Sequence, residues 1–533
     1  MKKKFCNNNY LKINNLIFLF FLFFLMTGFI IYKDYGISVD EVGYRHQGIV
    51  VLHKLSSTFL PEFTNKVKGE NLYATVDDVL YTTALFSGVP FHYFAAFLEY
   101  IFKFENKENI FYFKHLLTFL FFFIGAIFFY FLLILRFKEK KIAITGTIFL
   151  IFSPRIFADS FYSPNDIVFM VLTIILCYFF FKYFVKFSLK YLLLIAFFTS
   201  ISIGMRPMAI YLPFIFILYL FFCFLNKKIT LIFFIKNLFL LLILTLLLSF
   251  IVNPVLWNDP IKNFISPLKF ALSSNVSEIL YMGKFYPNTE LPWHYLIVWI
   301  FITTPVLYLI LFLIGITKTI IKIRSSNLFK IKKDLFFDLL IITLFLLPFF
   351  SAIFFSKSLL NSWRHLFFIY PLILFVSIIG LEFILKNLLK KIIVIFYSLI
   401  IVSLAFTGLW MYLNHPFQMV YFNILAGNNL QDKFELDYWG LSNKTAIQYI
   451  LKNDHRDKIK IAGVSNTRLN YTLFLFDKKS KDRIKLVQDS DQSDYVISIY
   501  NDKIRRNDMI NKKYKIFHEI KVDSYYINSI FIK

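Results

Sequence analysis

The chain has 533 residues, of which 58% are hydrophobic, 21% aromatic and only 17% charged, and its mean hydropathy is +0.63. This composition excludes an ordinary soluble globular protein and is typical of a chain that crosses a membrane many times. The formal net charge is +25, but most Lys and Arg residues lie in short clusters between apolar runs, a pattern of membrane topology rather than nucleic-acid binding. We therefore expect membrane lipids, and no nucleic acid, as partners.

About eleven apolar runs are of a length that suits bilayer-spanning helices. They lie near residues 16–32, 114–135, 142–154, 167–182, 190–205, 208–225, 233–253, 294–316, 335–355, 366–385 and 392–411. The third and fifth runs are short or weak, so each is compatible with a partial or tilted helix. The sequence therefore predicts a polytopic α-helical membrane protein.

The basic clusters fall on alternate connections between these spans. They occupy residues 2–4, 136–141, 182–190, 227–228, 318–333 and 386–391. Because Lys and Arg accumulate on the cytoplasmic side, we predict a cytoplasmic N-terminus and an extracytoplasmic C-terminus. The first apolar run with its basic flank also fits a signal peptide, but no small-residue cleavage site follows it, and we predict an anchor.

This topology places the polar residues of chemical interest in outer loops. The first outer loop, 33–113, opens with Asp40-Glu41, and it contains a candidate amphipathic helix at 42–60 and a second candidate interfacial or re-entrant helix at 89–104. Asp77-Asp78 in the same loop is interpreted as part of a polar loop. The other ionisable residues of the outer loops include Tyr44, Arg45, Arg155, Asp159, Asp166, Arg206, Lys357 and Arg364.

The composition changes after the last predicted span. Residues 414–533 are polar, and short alternating stretches at Lys458–Val464, Tyr495–Ile499 and Ile527–Ile532 predict strands, with a helix over Ser442–Leu451. We therefore divide the chain into a transmembrane domain, 1–413, and a small extracytoplasmic α/β domain, 414–533.

Cations at the membrane surface suit a lipid-linked phosphate, to which guanidinium groups make charge-assisted bidentate bonds. Transfer of a group from such a phosphate needs a base for the acceptor and stabilisation of the departing phosphate. A helix that begins near Val39 would keep Asp40 ionised through its N-terminal amides. Structural alternatives remain open: a solvated loop for Asp40-Glu41, a helix cap for Asp166, and interface anchors for Arg155 and Arg364.

The chain resembles the membrane glycosyltransferases of the GT-C fold in four features. These are the Asp-Glu pair that opens the first loop, the second loop with Arg155 and Asp166, the number of spans, and the external C-terminal domain. The nearest groups are the protein O-mannosyltransferases and the aminoarabinose lipid A transferases. The resemblance covers about the first 410 residues. It implies that Asp40 is the catalytic base, with Glu41 in support, and Tyr44 fits the Asp-Glu-x-x-Tyr pattern.

The resemblance implies an inverting hexosyl- or pentosyltransferase of the bacterial inner membrane. It would move a sugar from a polyprenyl-phosphate donor to a lipid, glycan or protein acceptor on the outer face. Catalytic candidates are Asp40, Glu41 and Asp166, and candidates for substrate or phosphate binding are Tyr44, Arg45, Arg155, Arg206 and Arg364. Gly43 stands where the aminoarabinose transferases commonly have a basic residue, so Arg45 or Arg155 would hold the phosphate instead.

Two further features are without an assigned role. The segment Phe434–Ser442 looks like a recurring feature of bacterial members, and its Tyr438-Trp439 pair is interpreted as packing rather than a sugar platform. His46, His53, His92 and His294 lack a diagnostic zinc spacing. We assign no metal ligands and no certain cofactor, and a divalent metal remains an open alternative.

Two other functions remain as alternatives. A transporter or flippase of lipid-linked saccharides would carry ionisable or broken sites at mid-membrane, often in repeated halves, whereas here the charges gather at one face and no repeat is visible. A non-catalytic membrane scaffold would act through residues 414–533.

Overall fold

The computed structural model describes residues 2–59, 87–272, 277–326, 331–355, 359, 361–463, 466–499, 510 and 514–533. Asp77-Asp78 and Lys357 lie outside the described residues. The α-helices are Lys2–Ile31, Val39–Phe59, Val89–Ile101, Lys107–Phe137, Lys140–Ile151, Pro154–Tyr162, Pro164–Lys186, Leu189–Met205, Tyr211–Leu225, Leu231–Val252, Pro260–Leu272, Tyr295–Thr303, Val306–Arg324, Lys333–Phe355, Tyr370–Asn387, Lys390–Leu413, Leu430–Lys433, Ser442–Asn453, Asn466–Thr472 and Lys478–Asp482.

Among the described residues, nine helices are long and apolar enough to cross a membrane, and the number is ten if one bent pair counts as a single span. Leu189–Met205 is a shorter apolar helix at the position of the fifth predicted run. The prediction of a polytopic helical membrane protein is therefore confirmed, and both runs that looked weak are irregular.

Prolines explain where the spans break, because proline lacks the N–H that would continue a helix. Lys140–Ile151 and Pro154–Tyr162 meet at an angle of 64° in place of the third predicted span. The predicted run 294–316 is also divided, into Tyr295–Thr303 and Val306–Arg324, with Pro305 at the break. These interruptions turn polar side chains inward at one end of the bundle.

The membrane bundle is held together at its other end by a buried ionic network. Arg136 donates to both carboxylate oxygens of Asp338, at 2.6 and 2.8 Å, and its Nη2 lies 3.6 Å from Glu382 Oε2. Both members of the bidentate pair are buried. Glu382 is also paired with Lys318 and Lys386, so the network joins four helices.

Helices are present at the two predicted positions in the first loop, as Val39–Phe59 and Val89–Ile101, and they pack against each other. Their backbones approach closely at Gly48, where a Cβ atom would stand 2.2 Å from the carbonyl oxygen of His92. Only glycine permits this contact, which fixes Val39–Phe59 over the bundle.

The C-terminal residues form the small α/β domain that the alternating stretches predict. A separate hairpin, β1 (Glu278–Tyr281) and β2 (Lys284–Pro287), precedes it in the chain. The domain sheet has the order β4-β3-β5-β7-β6, formed by β3 (Ile459–Gly463), β4 (Ile484–Leu486), β5 (Tyr495–Ile499), β6 (Lys515–Val522) and β7 (Tyr525–Ile532). The central strand β5 is buried throughout. Strand β3 is parallel to β4 and β5, while β7 is antiparallel to β5 and β6.

Candidate active site

The first turn of Val39–Phe59 separates the two adjacent carboxylates. Ser38 precedes the helix, and its backbone N–H donates to Glu41 Oε2 at 2.7 Å, which is one half of a capping box. Glu41 Oε1 lies 3.0 Å from His115 Nε2, and the side chain is 1% exposed. Asp40 points the other way and is 35% exposed. The two side chains therefore have different environments.

Asp40 faces an arginine from a distant part of the chain. Arg364 Nη1 lies 3.6 Å from Asp40 Oδ2, and the same carboxylate oxygen accepts a hydrogen bond of 3.3 Å from the Tyr44 hydroxyl. Tyr44 is one helical turn beyond Asp40, which brings the two side chains to one face. Asp40 is thus held by two donors while part of it remains accessible.

A second carboxylate lies on the other side of Arg364. Asp166 Oδ2 is 3.8 Å from Arg364 Nη1 and accepts a hydrogen bond of 3.1 Å from Ser163 Oγ, while Asp166 Oδ1 is paired with Arg206 Nη2. The Asp166 side chain is 2% exposed. We call Asp40, Asp166, Arg206 and Arg364 the Asp40–Asp166 cluster.

All four members of the Asp40–Asp166 cluster lie at helix ends. Asp40 and Asp166 are in the first turns of their helices, Arg206 follows Leu189–Met205, and Arg364 begins a 3-10 helix at the head of Tyr370–Asn387. The Nε atoms of Arg206 and Arg364 are buried and have no hydrogen-bond partner among the described residues. The cluster therefore places two guanidinium groups beside the accessible carboxylate of Asp40.

The ring of Tyr44 is held in position by a stacking contact. Its ring stacks on His92 at a centroid distance of 4.6 Å and an interplanar angle of 13°, and His92 Nε2 donates to Asn165 Oδ1 at 2.7 Å. Burial, followed by the charge of Asp40, raises the pKa of Tyr44, whereas burial lowers the pKa of His92 well below its ordinary value. Tyr44 thus remains a protonated donor to Asp40, and His92 remains neutral.

Arg364 is covered by aromatic side chains from the segment after the last span. Its guanidinium carbon lies 4.3 Å from the centroid of Trp439 and 5.5 Å from that of Tyr438. Cation–π contact of this kind favours the charged guanidinium where water is excluded. Sequence analysis singled out this segment without a role, and no sequence signal joins it to Arg364.

Glu41, Arg45 and Arg155 have other partners. Arg45 Nε donates to Glu99 Oε2 at 3.0 Å, joining the two interfacial helices. Arg155 Nε donates to the carbonyl oxygen of Tyr421 at 3.0 Å, and its guanidinium carbon lies 4.6 Å from the Phe422 ring. The structure therefore brings five of the eight predicted site residues together: Asp40, Tyr44, Asp166, Arg206 and Arg364.

In the described part of the chain, no group of three or more His, Cys, Asp or Glu side chains is arranged to hold a metal ion. His92 is engaged with Tyr44 and Asn165, and His294 Nδ1 lies 2.7 Å from the Tyr281 hydroxyl. The chemistry available in the Asp40–Asp166 cluster is that of carboxylates and guanidinium groups.

No protein-family model matches the chain, and no curated protein sequence matches it. Among solved structures, ArnT from Cupriavidus metallidurans in the apo state matches with a TM-score of 0.52 and 9% identity, over 97% of this chain and 98% of that chain. The same protein bound to undecaprenyl phosphate matches with a TM-score of 0.39 and 11% identity, over 80% and 88% of the two chains. The match to the apo structure shows that the chain has the GT-C fold, as the resemblance predicted.

Proposed function

We propose that the protein is a membrane glycosyltransferase that moves a sugar from a polyprenyl-phosphate donor to a hydroxyl or amino group of a lipid, glycan or protein acceptor. The observation that carries this proposal is the accessible carboxylate of Asp40 beside the two arginines of the Asp40–Asp166 cluster. The fold shared with ArnT supports the same class. The site would lie at the outer face of the inner membrane, with the N-terminus cytoplasmic and the C-terminal domain extracytoplasmic.

Asp40 is the best-placed base among the carboxylates of the site. Glu41 is buried against Ser38 and His115, and Asp166 is buried between two arginines and Ser163. A general base must reach the proton that it removes. Asp40, at 35% exposure, meets this requirement, and Tyr44 and Arg364 both contact its Oδ2 atom, so Oδ1 would be the atom that takes the proton.

Arg206 and Arg364 are suited to hold the donor phosphate. The buried Asp166 carboxylate forms an ion pair with each of the two guanidinium groups and so holds them near each other. The Arg206 side chain is 16% exposed and that of Arg364 is 8% exposed, and the exposed part of each guanidinium group would donate to phosphate oxygens. Arg45 and Arg155, which are engaged elsewhere, would then contribute to the frame of the site rather than to the phosphate.

The proposed reaction is a single displacement. The acceptor oxygen or nitrogen attacks the anomeric carbon of the donor, and its proton passes to Asp40. The bond between the anomeric carbon and the phosphate oxygen breaks, and its electron pair leaves on the polyprenyl phosphate between Arg206 and Arg364. Attack from the face opposite the phosphate inverts the anomeric configuration.

The test is sugar transfer in proteoliposomes that contain a radiolabelled pool of polyprenyl-phosphate sugars and bacterial envelope acceptors. The variant Asp40→Asn removes the base and is expected to lose about a hundredfold or more in rate. Asp259→Asn is the matched control, because Asp259 caps Pro260–Leu272 through the Lys262 N–H and Asn caps a helix equally well.

Transfer by the wild type and by Asp259→Asn, with loss in Asp40→Asn, would support the proposal. Transfer that is unaffected in Asp40→Asn would remove Asp40 from the mechanism. A wild type that transfers no sugar but moves the labelled lipid across the bilayer would replace the transferase with the flippase alternative.

A further inference from the structure

The segment Asp437–Lys444 connects the C-terminal domain to both halves of the Asp40–Asp166 cluster. At one side its Trp439 and Tyr438 rings lie over the guanidinium of Arg364. At the other side it contacts the loop that leads from the first span to Asp40. The segment therefore contacts Arg364 and the loop before Asp40 at the same time.

The contact with the Asp40 loop is a backbone contact. A Cβ atom at Gly36 would stand 2.3 Å from the carbonyl oxygen of Leu441. The two backbone segments therefore approach more closely there than a residue with a side chain would allow. The Lys444 ammonium, buried beside this contact, donates to the carbonyl oxygens of Lys33 and Tyr35. Asp40 follows Gly36 by four residues, and these contacts fix where its helix begins.

The segment is itself held by the domain sheet. The buried Asp437 carboxylate accepts from the backbone N–H groups of Leu441 and Ser442 at 3.0 and 2.9 Å. Asn528, which is fully buried in strand β7, donates to Ser442 Oγ and Asn443 Oδ1 at 3.0 Å each. A continuous series of hydrogen bonds thus runs from the sheet through Ser442 to Asp437, two residues before Trp439.

We propose that Asp437–Lys444 is a positioning element of the transfer site, in which Trp439 holds Arg364 and the Leu441–Lys444 end holds the loop before Asp40. This inference rests on the proposed function for its kinetic consequences. It gives the C-terminal domain a direct role: without the domain, Arg364 loses its aromatic cover and the Asp40 helix loses its fixed origin.

The two halves of the element have different kinetic signatures. Trp439→Leu removes the π-face above Arg364 and is expected to raise the KM for the polyprenyl-phosphate donor about tenfold, the scale of a desolvated cation–π contact. Trp439→Phe keeps a π-face and should restore most of the donor affinity. Lys444→Met frees the loop before Asp40 and is expected to lower kcat about fivefold or more, since misplacing a base slows the proton transfer, while the donor KM stays unchanged.

The matched control is Tyr449→Leu. Tyr449 stacks on His518 at 3.8 Å within the same domain and has no contact with the cluster, so this variant removes an aromatic stack without touching Arg364. It should keep the donor KM and kcat of the wild type. Equal KM values in Trp439→Leu and Tyr449→Leu, or equal impairment of Trp439→Phe and Trp439→Leu, would overturn the proposal.

A second measurement does not depend on transferase activity. Thermal unfolding midpoints of Trp439→Leu, Arg364→Met and the double variant form a cycle, and a direct contact makes the two losses non-additive. Additive losses would overturn the contact. A wild type without transfer activity would refute the proposed function, while this cycle would still show whether Trp439 positions Arg364. If Trp439→Leu fails to fold, the kcat of Lys444→Met tests the positioning element instead.

Discussion

Asp166 is predicted to be an electrostatic anchor rather than a base, and Asp166→Asn separates these roles. The substitution keeps the shape of the side chain but removes the charge that Arg206 and Arg364 share. At 3.8 Å and an effective permittivity of about 20, one such ion pair contributes roughly 4 kcal/mol of Coulomb attraction. Because the substitution leaves the largely buried guanidinium of Arg206 without this counter-charge, we expect a net loss of about 3 to 5 kcal/mol in the free energy of unfolding, as for other broken buried pairs.

The assay is thermal unfolding of the purified protein in nanodiscs, together with transfer kinetics. Asp166→Asn should lower the unfolding midpoint and raise the donor KM. The double variant Asp166→Asn with Arg206→Met removes one uncompensated cation and should recover part of the midpoint without recovering transfer. An unchanged midpoint with kcat reduced as strongly as in Asp40→Asn would refute the reasoning and make Asp166 the base.

Two further predictions concern buried carboxylates away from the proposed chemistry. Burial raises the pKa of Glu435 to about 7, above its ordinary value of 4.5, although Asn361 donates to it; the folded state therefore loses stability as pH rises from about 4.5 to 7. Glu435→Gln should remove this pH-dependent loss of stability, which is at most about 3 kcal/mol. The difference between the unfolding midpoints of Glu435→Gln and the wild type should therefore change in favour of the variant from about pH 4.5 to about pH 8. Asp338→Asn should cost about 3 kcal/mol of unfolding free energy, because Arg136 loses its bidentate partner and keeps only the longer pairs with Glu382 and Asp334, at 3.6 and 3.9 Å. An unchanged midpoint in either experiment would contradict the corresponding prediction.

The architecture of the chain was largely predictable because it depends on local patterns. Apolar runs of bilayer length and the alternating stretches after residue 413 identified the spans and strands β3, β5 and β7. Strands β4 and β6 were missed, since Ile484–Leu486 is only three residues long and Lys515–Val522 carries several charges. The bend before Pro154 was visible only as a weak run, because its angle depends on packing.

The candidate site was predictable in its members more than in its geometry. Asp40, Asp166, Arg206 and Arg364 were each named because the predicted topology placed them in outer loops. The inward turn of Glu41 follows from the Ser38-x-x-Glu41 capping pattern, which the sequence contains but which was not used.

The remaining contacts depend on tertiary packing. The pairing of Arg45 with Glu99 requires the two interfacial helices to lie side by side, and the cover of Arg364 by Trp439 joins residues 75 positions apart. No periodicity or spacing in a single sequence encodes such contacts. The position of the segment Asp437–Lys444 likewise depends on its tertiary contacts with Arg364 and with the loop before Asp40.

The most direct test of the account compares single-turnover sugar transfer by Asp40→Asn and Asp166→Asn over a range of donor concentrations that reaches saturation. The account predicts that Asp40→Asn keeps its donor affinity and loses about a hundredfold or more in the rate of transfer, while Asp166→Asn loses donor affinity first. An Asp40→Asn variant that transfers sugar at the wild-type rate would contradict the claim that Asp40 is the base of this site.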